Sequence, residues 1–363
     1  MGLTPRRRLM WFTVTAFVAI FGVGEFARWV LVDPAGGPGW WGIDLQLVVD
    51  AGGRFVAGQP IYADPRFLYP PLAALLAGPL THLDFLALSW VYAGLKVAIA
   101  IAAVISVGRA LSRWQQLAAV LILVLCLPFL HDVMLGNSNV LLVGAMVPAL
   151  FGRDRARNGI LLGLATAVFA KPLVLPVLLW LLVWRRQTWI GTVLTGLAAT
   201  AAGALVAGLG SYVDWVQALL AGGNRFAVPF AGNHGVTALV PALWLPVAAI
   251  TTAGLVWVLA RRSEGAGLTW AVAAGILIAP YAGTYSALPV ALALPGLLTR
   301  APTFTLAMVA LSTIATGFAL PFYALAILLA GWTQAGPRVT GWLAGLRREP
   351  VRRPGDELQA SEG

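Results

Sequence analysis

The 363-residue chain is 60% hydrophobic and 10% charged, with a mean hydropathy of +0.84, a balance that excludes a soluble globular domain. Its net charge of +10 would suit nucleic acid, but the arginines fall in short clusters between apolar runs and no aromatic-basic motif accompanies them. A single cysteine, Cys126, excludes an intramolecular disulfide and a thiol cluster for a metal.

The apolar runs are near 20 residues long, or come as shorter pairs broken by Pro or Gly, which favours helices over barrel strands. The sequence therefore predicts an all-α polytopic membrane protein. Residues 1–346 form its integral membrane domain, and residues 347–363 are too polar to fold and form a flexible cytoplasmic tail. Arg6, Arg7 and Arg8 precede an apolar run without a convincing cleavage site, read as an uncleaved first span starting in the cytoplasm.

In chain order, spans are expected near 10–32, 85–107, 115–131, 138–152, 158–171, 172–184, 188–209, 236–260, 267–280, 285–299, 302–317 and 318–334, about twelve in all. If each reverses direction, all arginines but Arg28, Arg54, Arg66 and Arg225 lie in the cytoplasm, as the positive-inside rule demands. Both termini are then cytoplasmic, in a plasma-membrane protein. The runs beside Lys171-Pro172 are short for full spans and suit broken or buried helices. Outer loops fall at 33–84, 131–137, 211–235 and 281–285. The first is the longest, carries Trp40, Trp41, Tyr62, Phe67 and Tyr69, and has room for a short interfacial helix near residues 45–57.

Within that loop the order is Asp44-Leu45, Ala51, Gly58, Ile61-Tyr62, Tyr69-Pro70-Pro71-Leu72 and Pro79-Leu80. Further on come Gly136 and Asn139 in GNSN, Lys171-Pro172, Asn233 in GNHG, and Pro280 with Tyr285 in APYAGTYS. This series, spanning about residues 44–285, resembles the integral-membrane glycosyltransferase family 87 of the GT-C class. It departs from the family pattern at Val48, Asn137 and His234-Gly235. The resemblance implies a GT-C-like helical bundle with a long first extracytoplasmic loop. It also implies an inverting hexosyltransferase that carries a sugar, mannose above all, from a polyprenyl-phosphate donor to a glycolipid or glycan acceptor on the outer face, in envelope synthesis. The family's catalytic carboxylate belongs to the first outer loop, where Asp44 is the matching position.

Inverting transfer needs a carboxylate to take the acceptor's proton, a clamp for the leaving phosphate and an apolar groove for the lipid. Asp44 follows Trp40, Trp41 and Ile43, where partial burial would raise its pKa toward useful basicity. It reads equally as the N-cap of a helix starting at Leu45. Asp50, six residues on, points to a different face as a surface charge and is the rival base. Asp64 and Asp84 read as turn and cap residues.

For the phosphate the leading candidate is Lys171, a cation embedded between apolar runs, whose bland alternative is snorkelling to the interface. Arg225 and His234 are the weaker outer-face candidates, with His131 beside them, and Lys96 is the other intramembrane lysine. Tyr62, Tyr69, Asn139, Asn233 and Tyr285 are expected to contact substrate, although caps and turn bonds also explain the asparagines. Tyr69-Pro70-Pro71 fixes the chain where the loop re-enters the membrane. Glu25 and Arg28 read as a helical pair. No metal-ligand spacing, Walker loop or Rossmann fingerprint occurs, so no metal or other cofactor is expected and a nucleotide-sugar donor is disfavoured. A multi-span transporter or lipid-linked sugar flippase would share the spans and the intramembrane cation, but it predicts internal repeats that are not evident. A non-catalytic assembly partner is the third reading.

Overall fold

The structure, a computed structural model, describes residues 5–27, 41–109, 111–226, 233–260 and 264–293, together with Ala324 and Ile327. The tail, the spans expected at 302–317 and 318–334, Trp40 and Arg28 lie outside these residues. Among the described residues the regular structure is helical: α1 (Pro5–Ala27), α2 (Ile43–Val56), α3 (Pro71–Ala77), α4 (Phe85–Val107), α5 (Arg113–Leu125), α6 (Leu127–Leu135), α7 (Asn139–Phe151), α8 (Ile160–Phe169), α9 (Leu175–Trp184), α10 (Arg186–Ala207), α11 (Leu209–Phe226), α12 (Val236–Leu239), α13 (Trp244–Ala260) and α14 (Glu264–Ile278).

Among the described residues three helices are long and apolar enough to cross a membrane: Phe85–Val107, Arg186–Ala207 and the run Pro241–Ala260. The pair α5–α6 makes a fourth if counted as one span bent by 51°. The break falls at Cys126, which is extended, and Pro128 opens α6, where its missing N–H costs nothing. Several of the other runs expected to span are shorter. At 1.5 Å per residue α7, α8, α9 and α14 fall short of a hydrocarbon core of about 30 Å. The expected span from 285 begins instead as a buried 3-10 helix, Thr284–Leu292, with Pro289 inside it. Proline removes an α-helical hydrogen bond and clashes with the carbonyl four residues back.

Between apolar helices in lipid there is no hydrophobic drive to associate, so close packing by small residues carries the bundle. Helices α8 and α10 are the clearest case. A methyl group on Gly159 or Gly163 would run into the Thr188 and Thr192 carbonyls, so the two backbones touch. At one end Asp154 accepts hydrogen bonds from the backbone N–H (2.9 Å) and hydroxyl (3.1 Å) of Thr188.

The described part of the segment expected as the first outer loop is structured. Helix α2 packs on α3, and Ala51, Ile61, Phe67, Ala73 and Ala74 make a small core of their own with Tyr62 and Tyr69 against it. Asp64 accepts from the Arg66 backbone and guanidinium, and Asp84 caps α4 through the Ala87 N–H at 2.8 Å, the turn and cap roles expected of them. Arg66 beside it holds the Asp64 carboxyl below its ordinary value. The loop expected at 211–235 is mostly helix α11. Its sequence is amphipathic: Leu209, Val213, Val216 and Leu220 are exposed, while Trp215 donates to the Leu68 carbonyl at 3.0 Å. Such a helix suits the membrane interface.

Candidate active site

Three breaks in helix meet at one place: the start of α2, the turn between α6 and α7, and the gap between α8 and α9. Gly42 caps α2 in a left-handed conformation (φ 74°) with no side-chain bond, and its N–H donates to the Met134 carbonyl of α6 at 2.7 Å. Asp44 stands in the first turn of α2, where a carboxylate complements the helix dipole. It is not the N-cap. Its Oδ2 accepts a hydrogen bond from Asn137 Nδ2 at 2.6 Å.

The α6–α7 turn that carries Asn137 depends on Gly136. Its φ is +71°, and a Cβ there would stand 2.8 Å from the Leu45 Cβ and 3.1 Å from the Gly42 Cα. Only glycine combines a left-handed turn with that approach to α2. The turn thereby delivers the Asn137 side chain to Asp44. The other end of the same amide, Oδ1, accepts from Lys171 Nζ at 2.5 Å and from the Ser138 N–H at 2.8 Å. The amide orientation follows from its partners, since the carboxylate needs a donor and the ammonium an acceptor.

Lys171 is set by the α8–α9 break. Helix α8 ends at Ala170, the one described non-glycine residue with positive φ (43°), and Lys171 is extended before Pro172. Its ammonium also donates to Asn139 Oδ1 at 2.9 Å and lies 5.6 Å from the centroid of the Tyr285 ring. Behind these groups lies a fully buried ion pair, Lys96 Nζ to Asp132 Oδ1 at 2.9 Å. Asp132 Oδ2 in turn accepts the Asn139 N–H at 3.1 Å.

Burial raises the Asp44 carboxyl above its ordinary value; the Asn137 hydrogen bond and the Lys171 charge pull the other way. Tyr69 is close enough to feel the Asp44 charge, and burial together with that charge holds its phenol protonated. The site therefore joins a carboxylate of raised basicity to a fixed cation through one amide, with tyrosines around them.

Asp44, Lys171, Asn139, Tyr69 and Tyr285 are thus brought together. Others stand apart. Asn233 Oδ1 accepts from the Gly235 and Ala282 N–H groups, and Nδ2 donates to Thr237, bonds that stitch its own loop. The backbone N–H of His234 donates to the Ala282 carbonyl at 2.7 Å, which sets it beside Tyr281, and burial lowers its pKa. Tyr62 donates to the Tyr69 carbonyl at 3.0 Å inside the loop core. Arg225 is near the end of α11. Asp50 is exposed and accepts from Gln46 at 2.6 Å, on the solvent side of α2. His131, expected in a loop, is on α6 with Nδ1 2.8 Å from the Thr284 hydroxyl.

Asn137, Asp132 and Tyr281, which is hydrogen-bonded to Tyr285, are missing from the site as read in the sequence. The signal for the first two is a pair of amides in GNSN five and seven residues after a buried acid. Among the described residues no three His, Cys, Asp or Glu side chains gather as a metal-ligand set.

Compared with known proteins, residues 67–299, well over half of the chain, match the family model of glycosyltransferase family 87. No curated protein and no solved structure matches the chain. The matched stretch contains Tyr69, Asn139, Lys171 and Tyr285. Asp44 precedes it, and the Asn137 bond joins it to that stretch.

Proposed function

Because the chain belongs to glycosyltransferase family 87, it is a membrane glycosyltransferase, and we propose that it transfers mannose from a polyprenyl-phosphate donor to a hydroxyl of a glycolipid or glycan at the extracytoplasmic face. The acceptor oxygen attacks the anomeric carbon from the side opposite the phosphate. A new C–O bond forms, the bond to the phosphate oxygen breaks with its electron pair, and the configuration inverts. Asp44 takes the acceptor's proton, and the polyprenyl phosphate leaves as an anion.

The observation that carries this reading is the Asp44–Asn137–Lys171 bridge, with bonds of 2.6 and 2.5 Å. A base and a counter-charge for the leaving phosphate stand at opposite ends of one short side chain. Inverting transfer needs such an arrangement across a sugar ring. When the donor arrives, Lys171 turns part of its hydrogen bonding from Asn137 and Asn139 to the phosphate, while Tyr69 and Tyr285 wall the sugar.

The test is transfer of radiolabelled mannose from polyprenyl-phosphate-mannose to membrane glycolipids, with Asp44→Asn compared at matched expression. The variant retains donor binding and loses about a hundredfold or more in rate, the range of a lost general base. Full activity in Asp44→Asn would remove Asp44 from the chemistry. An inactive wild type, given several lipid-linked sugars, would favour transport.

A further inference from the structure

The buried pair Lys96–Asp132 lies behind the site and is not in reach of a sugar. Two opposite charges buried with 0% exposure cost several kcal/mol each to desolvate, and a hydrophobic pair would hold α4 to α6 as well. The bonds of Asp132 supply a reason for keeping it. Its backbone carbonyl accepts from Lys96 Nζ at 2.6 Å and from the Asn137 N–H at 2.9 Å. Its carboxylate holds Lys96 with Oδ1 and the first N–H of α7, that of Asn139, with Oδ2. Tyr92, whose ring centroid is 4.6 Å from Lys96 Nζ, donates to the Asn137 carbonyl at 3.2 Å. Asn137 and Asn139, the two amides that hold Lys171, are therefore gripped by their backbones from one side by this pair.

We infer that Lys96 and Asp132 are positioning residues: together they fix the Asn137–Asn139 turn and, through it, the alignment of Asp44 with Lys171. The inference rests on the proposed transfer reaction for its kinetic consequence, but not for its geometry. Lysine is used because an ammonium can serve the carboxylate and the carbonyl of one residue at once. An apolar substitute leaves the Asp132 carbonyl short of a donor and its carboxylate unpaired, and the turn is released.

A residue that acts through Asn137 shows it by non-additivity, because independent losses multiply and shared ones do not. The experiment compares wild type with Lys96→Met, Asn137→Ala and the double variant in nanodiscs, all normalised to folded protein. Two things are read: the transfer rate, and the titration of the Asp44 carboxyl by infrared difference spectroscopy, assigned by its loss in Asp44→Asn. The charged and titratable groups around Asp44 are Lys171, Asp132, Lys96, Tyr69, Tyr92, Tyr281 and Tyr285.

Each single variant is expected to lose about tenfold to a hundredfold in rate, the scale of a small misplacement. Asn137→Ala moves the Asp44 titration to higher pH by removing the hydrogen bond that opposes burial, and Lys96→Met moves it by that same loss together with the removal of its own charge. The double variant goes no further than Lys96→Met in either readout. Multiplied losses, with an infrared shift in the double variant beyond that of Lys96→Met, would overturn the inference while an active wild type upheld the reaction. An inactive wild type, with an infrared shift in Lys96→Met that the double variant does not enlarge, would overturn the reaction and uphold the positioning. If Lys96→Met does not survive extraction, Lys96→Gln, which keeps a donor for the carbonyl, carries the same comparison.

Discussion

Replacing Gly136 by alanine tests the joint on which the whole site hangs. An L-residue in the left-handed region costs roughly 1–2 kcal/mol. The added methyl also stands 2.8 Å from the Leu45 Cβ and 3.1 Å from both the Gly42 Cα and the Leu45 N, closer than such contacts tolerate, and overpacking of this kind adds about 1–3 kcal/mol. The contact can be relieved only by moving α2 away from the α6–α7 turn. That movement stretches the Asp44–Asn137 bond, worth about 1.5–3 kcal/mol for a charged partner. Gly58→Ala is the control, since Gly58 has φ +67° with nothing within 4 Å of the place its methyl group would take. The assay is intrinsic tryptophan fluorescence on heating, for which the 15 tryptophans give ample signal, alongside the mannose-transfer rate. Gly136→Ala should lower the melting temperature clearly more than Gly58→Ala and reduce transfer by about tenfold or more, on the scale of one tenfold per 1.4 kcal/mol. Equal effects of the two substitutions on both readings would refute the reasoning, because the approach of α2 to the turn would then not matter.

The pH profile should follow Asp44. With Asp44 as the proposed base, the ionised carboxylate is the active form and burial raises its pKa, so kcat/KM should climb as pH rises through that raised value; in Lys171→Gln, which removes an opposing charge, the residual activity should climb at still higher pH. Stability runs the other way: a raised folded pKa contributes stability below the ordinary value of 3.8 that is lost as pH rises through the folded one, so Asp44→Asn should gain melting temperature relative to wild type on going to alkaline pH. Lys96→Met strands the buried Asp132 carboxylate and should cost about 3–5 kcal/mol in chemical unfolding, whereas Lys96→Met with Asp132→Leu should recover most of that stability. Asp50→Asn, altering an exposed residue bonded to Gln46, should leave transfer within about twofold, as surface substitutions usually do; a large loss would make Asp50 the base.

How far the sequence reveals this site differs residue by residue. Asp44 and Lys171 are legible because each is a charge in a setting that penalises charge, and their local surroundings say so. Helix α2 is legible from an acid and glycines around an apolar stripe. Helix α11 reads as a loop because Ser211, Asp214 and the paired Gly222-Gly223 look like turn chemistry, whereas the pattern of Leu209, Val213, Val216 and Leu220 has helical period. The 3-10 run after Thr284 looks like a span because its residues are apolar; burial inside protein satisfies the same composition as burial in lipid. Lys96 and Asp132 are not legible as a pair. They are 36 residues apart and meet only through the packing of α4 on α6, so in the sequence each is an isolated expense. Asn137 looks like a minor variation, since nothing local says that one amide has a carboxylate on its left and an ammonium on its right.

The glycine seam between α8 and α10 bears on how the prenyl chain of the proposed donor could be handled. Two backbones in direct contact leave no slot between them for an isoprenoid tail and no room to slide or rotate. Lys171 follows directly from α8 and is therefore the stationary jaw of the site. The tail of the proposed donor would therefore have to pass between a different pair of helices.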